Sequence, residues 1–166
     1  SWNPMFRKRQ PSRGRSAARR LAVQSLETRR LLAASFGWDG PGLGAAELTY
    51  SISNSPPSLT QAETTAAIES ALAVWSEVVD ITFAPTTQRG LEDSLDISFT
   101  RIDGPGRTLA QAYFPDDVNP ARIAGDVQFD VSEMWEVGNA LGNRAYDLLC
   151  VAVHEIGHSL GLNHDE

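Results

Sequence analysis

Cysteine is almost missing from this chain: Cys150 is alone among 166 residues. No internal disulfide can form, so a fold working outside the cell must draw rigidity from another source, of which bound metal is one. Long apolar runs are missing too. The stretch LLCVAV at 148–153 falls far short of the roughly 18–20 residues that cross a bilayer, so no transmembrane helix is expected. With 42% hydrophobic and 21% charged residues, the composition is neither collagen-like nor of low complexity, and the length suffices for one domain with a sizeable core. Positive charge is what most of the chain lacks. Nine of the fourteen Lys and Arg residues lie between Arg7 and Arg30 against one acid, Glu27, so residues 1–35 carry +8. The other five cations meet twenty acids over residues 36–166, which therefore carry −15. Such a body repels nucleic acid and attracts cations.

The basic stretch is Arg- and Ser-rich, has no aromatic residue after Phe6, and lacks the apolar mass for a core. Residues 1–35 are therefore read as a disordered leader outside the folded domain. No aromatics interleave the arginines to stack on bases, so no nucleic-acid partner is expected. LAVQSLETRRLLAAS ends in small residues like a cleavage region, although Glu27, Arg29 and Arg30 interrupt its apolar part. SLETRRLLAA (Ser25–Ala34) resembles the LEPR-XLL segment near the N-termini of large bacterial secreted and surface proteins, with Thr28 in place of the usual proline. That resemblance implies export, to a secreted or cell-surface location.

Residues 36–46 (FGWDGPGLGAA) read as a Gly-rich linker, and the domain is expected over 47–166. LTYSI (Leu48–Ile52) alternates as a strand that the prolines of Asn54–Ser58 end. Thr60 with Glu63 forms a capping box, and Ile68, Leu72, Trp75 and Val79 recur at helical spacing as one buried stripe. Further strands are expected at 80–85, 95–100, 108–114 and 125–130, with loop between the last two. A final helix is expected from about Arg144 to Leu160, closed by Gly161.

That helix carries HEIGHSLGLNH: His154, Glu155, His158, Gly161 and His164. His154 and His158, four apart, project from one face, so both imidazoles reach an ion about 2 Å away. Gly161 can take the backbone angles that bring His164 round as a third ligand, leaving a fourth position for water. Glu155 is placed to take a proton from that water. A lone histidine is usually a plain core or surface residue. All three histidines of the chain, however, fall inside this pattern, and chance agreement at its five positions is well below about one in a thousand. The pattern is the metzincin signature. Cys150, one turn before His154, reads as a small core residue and not as a further ligand.

Over residues 47–166 the chain resembles the matrixin branch of the metzincins. LTYSI resembles the family's first strand, AIESALAVWSEVVDITF its first helix and second strand, and DISF its third strand. DGPGRTLAQAYFP resembles its calcium loop and edge strand, and GDVQFDVSEMW its fifth strand. The resemblance implies an α+β zincin fold, a twisted five-stranded mixed sheet with two long helices, and one catalytic zinc. It implies a structural calcium held by Asp103, Gly104, Gly106, Thr108, Asp130 and Glu133, oxygen donors that suit this ion. A second calcium site would use Asp96 and Asp126, with carbonyls around Asp116 to Ala124. The family's structural second zinc is not expected, because Gln111 and Gln128 stand where its histidines would be, and an amide is a poor zinc ligand. Asp165 follows the third histidine, as in the adamalysin branch. The sequence ends two residues after His164, so an incomplete domain is expected, without methionine turn, outer pocket wall or inhibitory pro-region. The implied activity is that of an M10-like zinc metalloendopeptidase, with a peptide or protein substrate lying antiparallel to the edge strand at Ala110 and Ala112. The alternative is an inactive or structural calcium- and zinc-binding module of a secreted protein.

Overall fold

The computed structural model describes Trp38, residues 45–115 and residues 119–164. The chain divides into residues 1–30 and residues 31–166; the basic leader and most of the 36–46 linker lie outside the described residues.

β1 (Ala45–Ile52) starts earlier than alternation alone suggests, because Ala45 already pairs with Asp80 of β2 (Asp80–Pro85). Between these parallel strands runs α1 (Gln61–Ser76), the crossover that a parallel pair requires. Its capping box forms as expected: Thr60 Oγ1 accepts from the Glu63 amide at 3.2 Å, and a Glu63 carboxylate oxygen accepts from the Thr60 amide at 2.9 Å. Thr64, Ala67, Ile68, Ala71 and Leu72 form the buried stripe, with Trp75 and Val79 packed against the core beyond them.

β1 also pairs in parallel with β3 (Ser94–Thr100), and β3 with β5 (Val127–Asp130). β4 (Ala110–Ala112) closes the sheet as an antiparallel edge, giving the order β2-β1-β3-β5-β4. This is the expected five-stranded mixed sheet. β4 is shorter than the stretch 108–114, although single backbone bonds extend the pairing, from Asp130 N–H to Leu109 O and from Tyr113 N–H to Asp126 O.

The last helix, α2 (Leu148–Ser159), starts later than Arg144. A 3₁₀ turn at Gly142–Arg144 and a short ribbon pairing β6 (Trp135–Glu136) with β7 (Tyr146–Asp147) precede it. Asp147 then caps the helix, accepting from the Cys150 amide at 3.2 Å. Helices and sheet meet over Ile68, Leu95, Ile97, Val127, Phe129, Leu148 and Ile156, all almost wholly buried. Phe129 stacks on Phe99 and meets Trp135 edge-on.

Cys150 corrects an expectation, since it is exposed rather than part of the core. α2 buries Leu148, Ala152, Glu155, Ile156, Gly157 and Ser159. At about 100° per residue, Cys150 lies roughly half a turn of the helix from Leu148, Ala152, Glu155 and Ser159, on the side that Trp75 covers two turns later, at Gly157.

Candidate active site

α2 places His154 and His158 with their Nε2 atoms 3.1 Å apart. The helix then stops: Gly161, at φ 98°, turns the chain, its amide bonds the His158 carbonyl at 2.9 Å, and the Leu162 amide bonds that of Gly157 at 3.0 Å. The turn returns His164 so that its Nε2 lies 3.2 Å from that of His158 and 3.1 Å from that of His154. His158 Nδ1 lies 2.6 Å from the Leu162 carbonyl. A carbonyl only accepts, so Nδ1 carries the proton and Nε2 presents a lone pair to the site.

Three imidazole nitrogens converging in this way suit an ion. A tetrahedral zinc about 2.05 Å from each would need N···N separations of about 3.3 Å, and the triangle measures 3.1–3.2 Å. Neutral imidazole nitrogens favour zinc over the hard cations that take oxygen. Among the described residues, these histidines are the group of three or more His, Cys, Asp or Glu whose ligand atoms lie within 4.8 Å of one another. The donors fit zinc, and His154 and His164 are exposed while His158 is half-buried.

Glu155 follows His154 on the buried flank of α2. Burial raises its pKa above the usual carboxylate value, while its neighbours His158 and His164 act in the opposite direction. Trp75 anchors the helix from α1, its indole N–H donating to the Val153 carbonyl at 2.8 Å. It fits because Gly157 has no side chain; a Cβ there would stand 2.9 Å from the indole. Phe114 meets the His158 ring edge-on at 6.2 Å.

β4 lies at the sheet edge against α2, with β5 as its partner. Ala110 and Ala112 pair with Phe129 and Val127, and both are half-buried. Gln111 and Gln128, opposite each other, share an amide–amide hydrogen bond of 2.7 Å. The Gln111 amide donates and the Gln128 oxygen accepts, and an amide is a poor zinc ligand; the three histidines of the chain sit elsewhere.

The residues singled out for calcium lie around one loop. Asp103 accepts from the Thr108 hydroxyl at 2.7 Å and its amide at 3.1 Å. Buried Asp130 accepts from the amides of Asp103 and Gly104, both at 3.0 Å, and from the amide and hydroxyl of Ser132. Burial would raise the Asp130 pKa, but hydrogen bonds from Ser132 and from the Asp103 and Gly104 amides outweigh it and hold the carboxyl well below the usual range. Glu133 accepts from the Gly106 and Arg107 amides. These acids thus close the loop through its N–H groups.

Asp96 and Asp126 are also brought together, the Asp96 amide donating to an Asp126 oxygen at 3.1 Å. The Asp96 carboxylate accepts from Ser51 and from the Gly90 amide, both at 2.7 Å, and faces Arg89 at 3.8 Å. Asp126 is pushed up to about 6, chiefly by burial; the Asp96 charge adds to this, while the Asp96 amide and Arg89 oppose it. Asp116–Val118, part of the loop expected to lend carbonyls here, lie outside the described residues, as does Asp165.

The sequence reading missed three supports of the site. The Trp75–Gly157 contact, Phe114 against His158 and the Leu162 carbonyl behind His158 all depend on tertiary placement. The only local hint was a glycine inside a helical pattern.

A family profile described as Matrixin matches residues 42–166, and one described as Planctomycete extracellular matches residues 18–36. The chain is 43% identical over 125 residues to stromelysin-3 of Xenopus laevis, an alignment covering 70% of this chain and 24% of that protein. It is 41% identical over 130 residues to matrix metalloproteinase-16 of Homo sapiens, covering 70% and 21%. It is 42% identical over 125 residues to interstitial collagenase of Equus caballus, covering 70% and 24%. The chain spans about a quarter of the length of these relatives or less.

Proposed function

The chain belongs to the matrixin family, and on that footing we propose that it forms the metal-binding part of a zinc-dependent endopeptidase acting on proteins. The observation that carries this reading is the triangle of Nε2 atoms from His154, His158 and His164, with Glu155 beside it on the same helix. The three histidines would hold one zinc, and Glu155 stays outside the ligand set. When bound, zinc supplies a Lewis acid that acidifies a water and polarises a peptide carbonyl. Glu155 takes the proton of the attacking water onto its carboxylate and returns it to the nitrogen of the leaving amine. The substrate lies antiparallel to β4, bonded to the backbone of Ala110 and Ala112 as an added strand; the edge position of β4 supports this.

The proposal extends to structural calcium at Asp103, Gly104, Gly106, Thr108, Asp130 and Glu133, supported by the loop closed on the two buried acids. A second calcium belongs to Asp96 and Asp126. Residues 1–35 serve as an export leader, 36–46 as a linker and 47–166 as the metallopeptidase domain of a secreted or cell-surface protein. The Planctomycete extracellular match supports the leader reading.

Replacing Glu155 with Gln in the full-length gene product should lower peptide cleavage at least about a hundredfold while bound zinc is retained. Undiminished cleavage removes Glu155 as the base. A folded wild type without zinc at neutral pH removes the whole reading, and one that binds zinc yet cleaves no peptide favours the structural-module alternative.

A further inference from the structure

The last carbonyls of α2 have partners of two kinds. Those of Ile156, Gly157 and His158 accept from the amides of Leu160, Gly161 and Leu162, within the turn itself. Ser159, the last helical residue, gives its carbonyl to the indole N–H of Trp38, at 3.1 Å and 121 residues away. Trp38 is 4% exposed and sits in a built slot. Gly125, at φ 74°, faces it without a side chain, and a Cβ there would stand 2.5 Å from the ring. The slot thus admits a large aromatic ring whose one polar atom reaches the point where helix gives way to the turn carrying His164. Between Ser159 and His164, the other backbone bonds of the turn are local, as is the Leu162 carbonyl contact with His158.

We propose that Trp38 is a positioning residue for the three-histidine site, fixing the C-terminal end of α2 so that His164 returns to close the triangle. This rests on the zinc reading above. A residue in the segment before β1 thereby sets the geometry of a metal site at the far end of the sequence. The device works by an oriented donor: a buried N–H satisfies a helix-end carbonyl that has no intrahelical partner.

The test is cobalt and zinc binding by the intact chain and by Trp38→Phe, which keeps an aromatic ring in the slot but donates nothing. A second form carries benzothienylalanine at position 38, a near-isostere of tryptophan without the N–H, in case the smaller ring disturbs folding. Tyr50→Phe serves as control, since it deletes a different part-buried side-chain hydrogen bond, to Glu69, distant in sequence from the site. The Trp38 variants should weaken zinc binding between about twofold and about tenfold, the range of one hydrogen bond. They should also change the ligand-field spectrum of bound cobalt, with the control unchanged in both. Wild-type affinity and spectrum in the benzothienylalanine form overturn the proposal, as does an equal effect in the control. A wild-type chain whose cobalt binding does not depend on His154 removes the zinc reading, and this proposal with it.

Discussion

Gly157→Ala is the substitution whose sign depends on the packing found here. In an open helix the change stabilises by about 1 kcal/mol, because alanine loses less backbone freedom. Here the new methyl would stand 2.9 Å from one Trp75 ring carbon and 3.4 Å from the next. The indole cannot slide aside cheaply, since its N–H is bound to the Val153 carbonyl at 2.8 Å. Overpacking of this kind costs about 1–3 kcal/mol, and stretching the hydrogen bond about 1 kcal/mol more. Set against the helix gain, the net is a loss of about 1–3 kcal/mol, or about 3–10 °C in melting temperature for a domain of this size. Thermal unfolding followed by circular dichroism, in metal-free and zinc-saturated samples, measures it. The decisive comparison repeats Gly157→Ala in a Trp75→Phe background, where the overlapping ring carbons are gone and the alanine should be neutral or stabilising by up to about 1 kcal/mol. A rise in melting temperature in the wild-type background, or equal effects in both, would refute the argument that Trp75 dictates glycine at 157.

Other outcomes follow from single contacts. Tyr50 is pushed up to about 12 by burial and by its hydrogen bond to Glu69, from an ordinary 10.0. An acid raised on folding stabilises fully below its unfolded pKa, so this contribution should hold to about pH 10 and be lost between 10 and 12. Phenolate absorbance should show one of the three tyrosines titrating late and Tyr50→Phe removing that component; a single transition near 10 contradicts this. Metal analysis of the zinc-saturated chain should return one zinc, and His164→Ala should abolish tight binding; two zincs would overturn the account of Gln111 and Gln128. Thr60→Ala deletes the side-chain half of the α1 cap and should cost about 1 kcal/mol in urea unfolding, while unchanged stability would mean the cap contributes nothing.

What could be read from residues alone was what local rules decide. The α1 cap needs two side chains three apart, and its buried stripe follows from helical period. The three-histidine cluster is legible because helix geometry and one glycine suffice to bring His154, His158 and His164 near one another. Orientation within uniformly apolar or acidic stretches was not legible. In LLCVAV no polar residue marks the solvent side, so the pattern alone does not show that Cys150 is exposed. The acids of the loop proposed for calcium are recognisable in sequence, but not that Asp130 and Glu133 turn toward backbone amides. Contacts such as Trp75 with Gly157 join distant segments, and no spacing rule announces them.

The locality of the ligand set bears on folding thermodynamics. His154 to His164 span eleven residues, so bringing the three together in an unfolded chain closes only a short loop and costs little entropy. The denatured ensemble should therefore retain measurable zinc affinity, and a ligand that binds both states stabilises only by the difference between its two affinities. Zinc should raise the melting temperature less than its native dissociation constant alone suggests. The shortfall reflects how much of the site is already encoded in one short peptide. What the folded protein adds is made by contacts that no peptide can form, and the Ser159 carbonyl, bonded across 121 residues, is one of them.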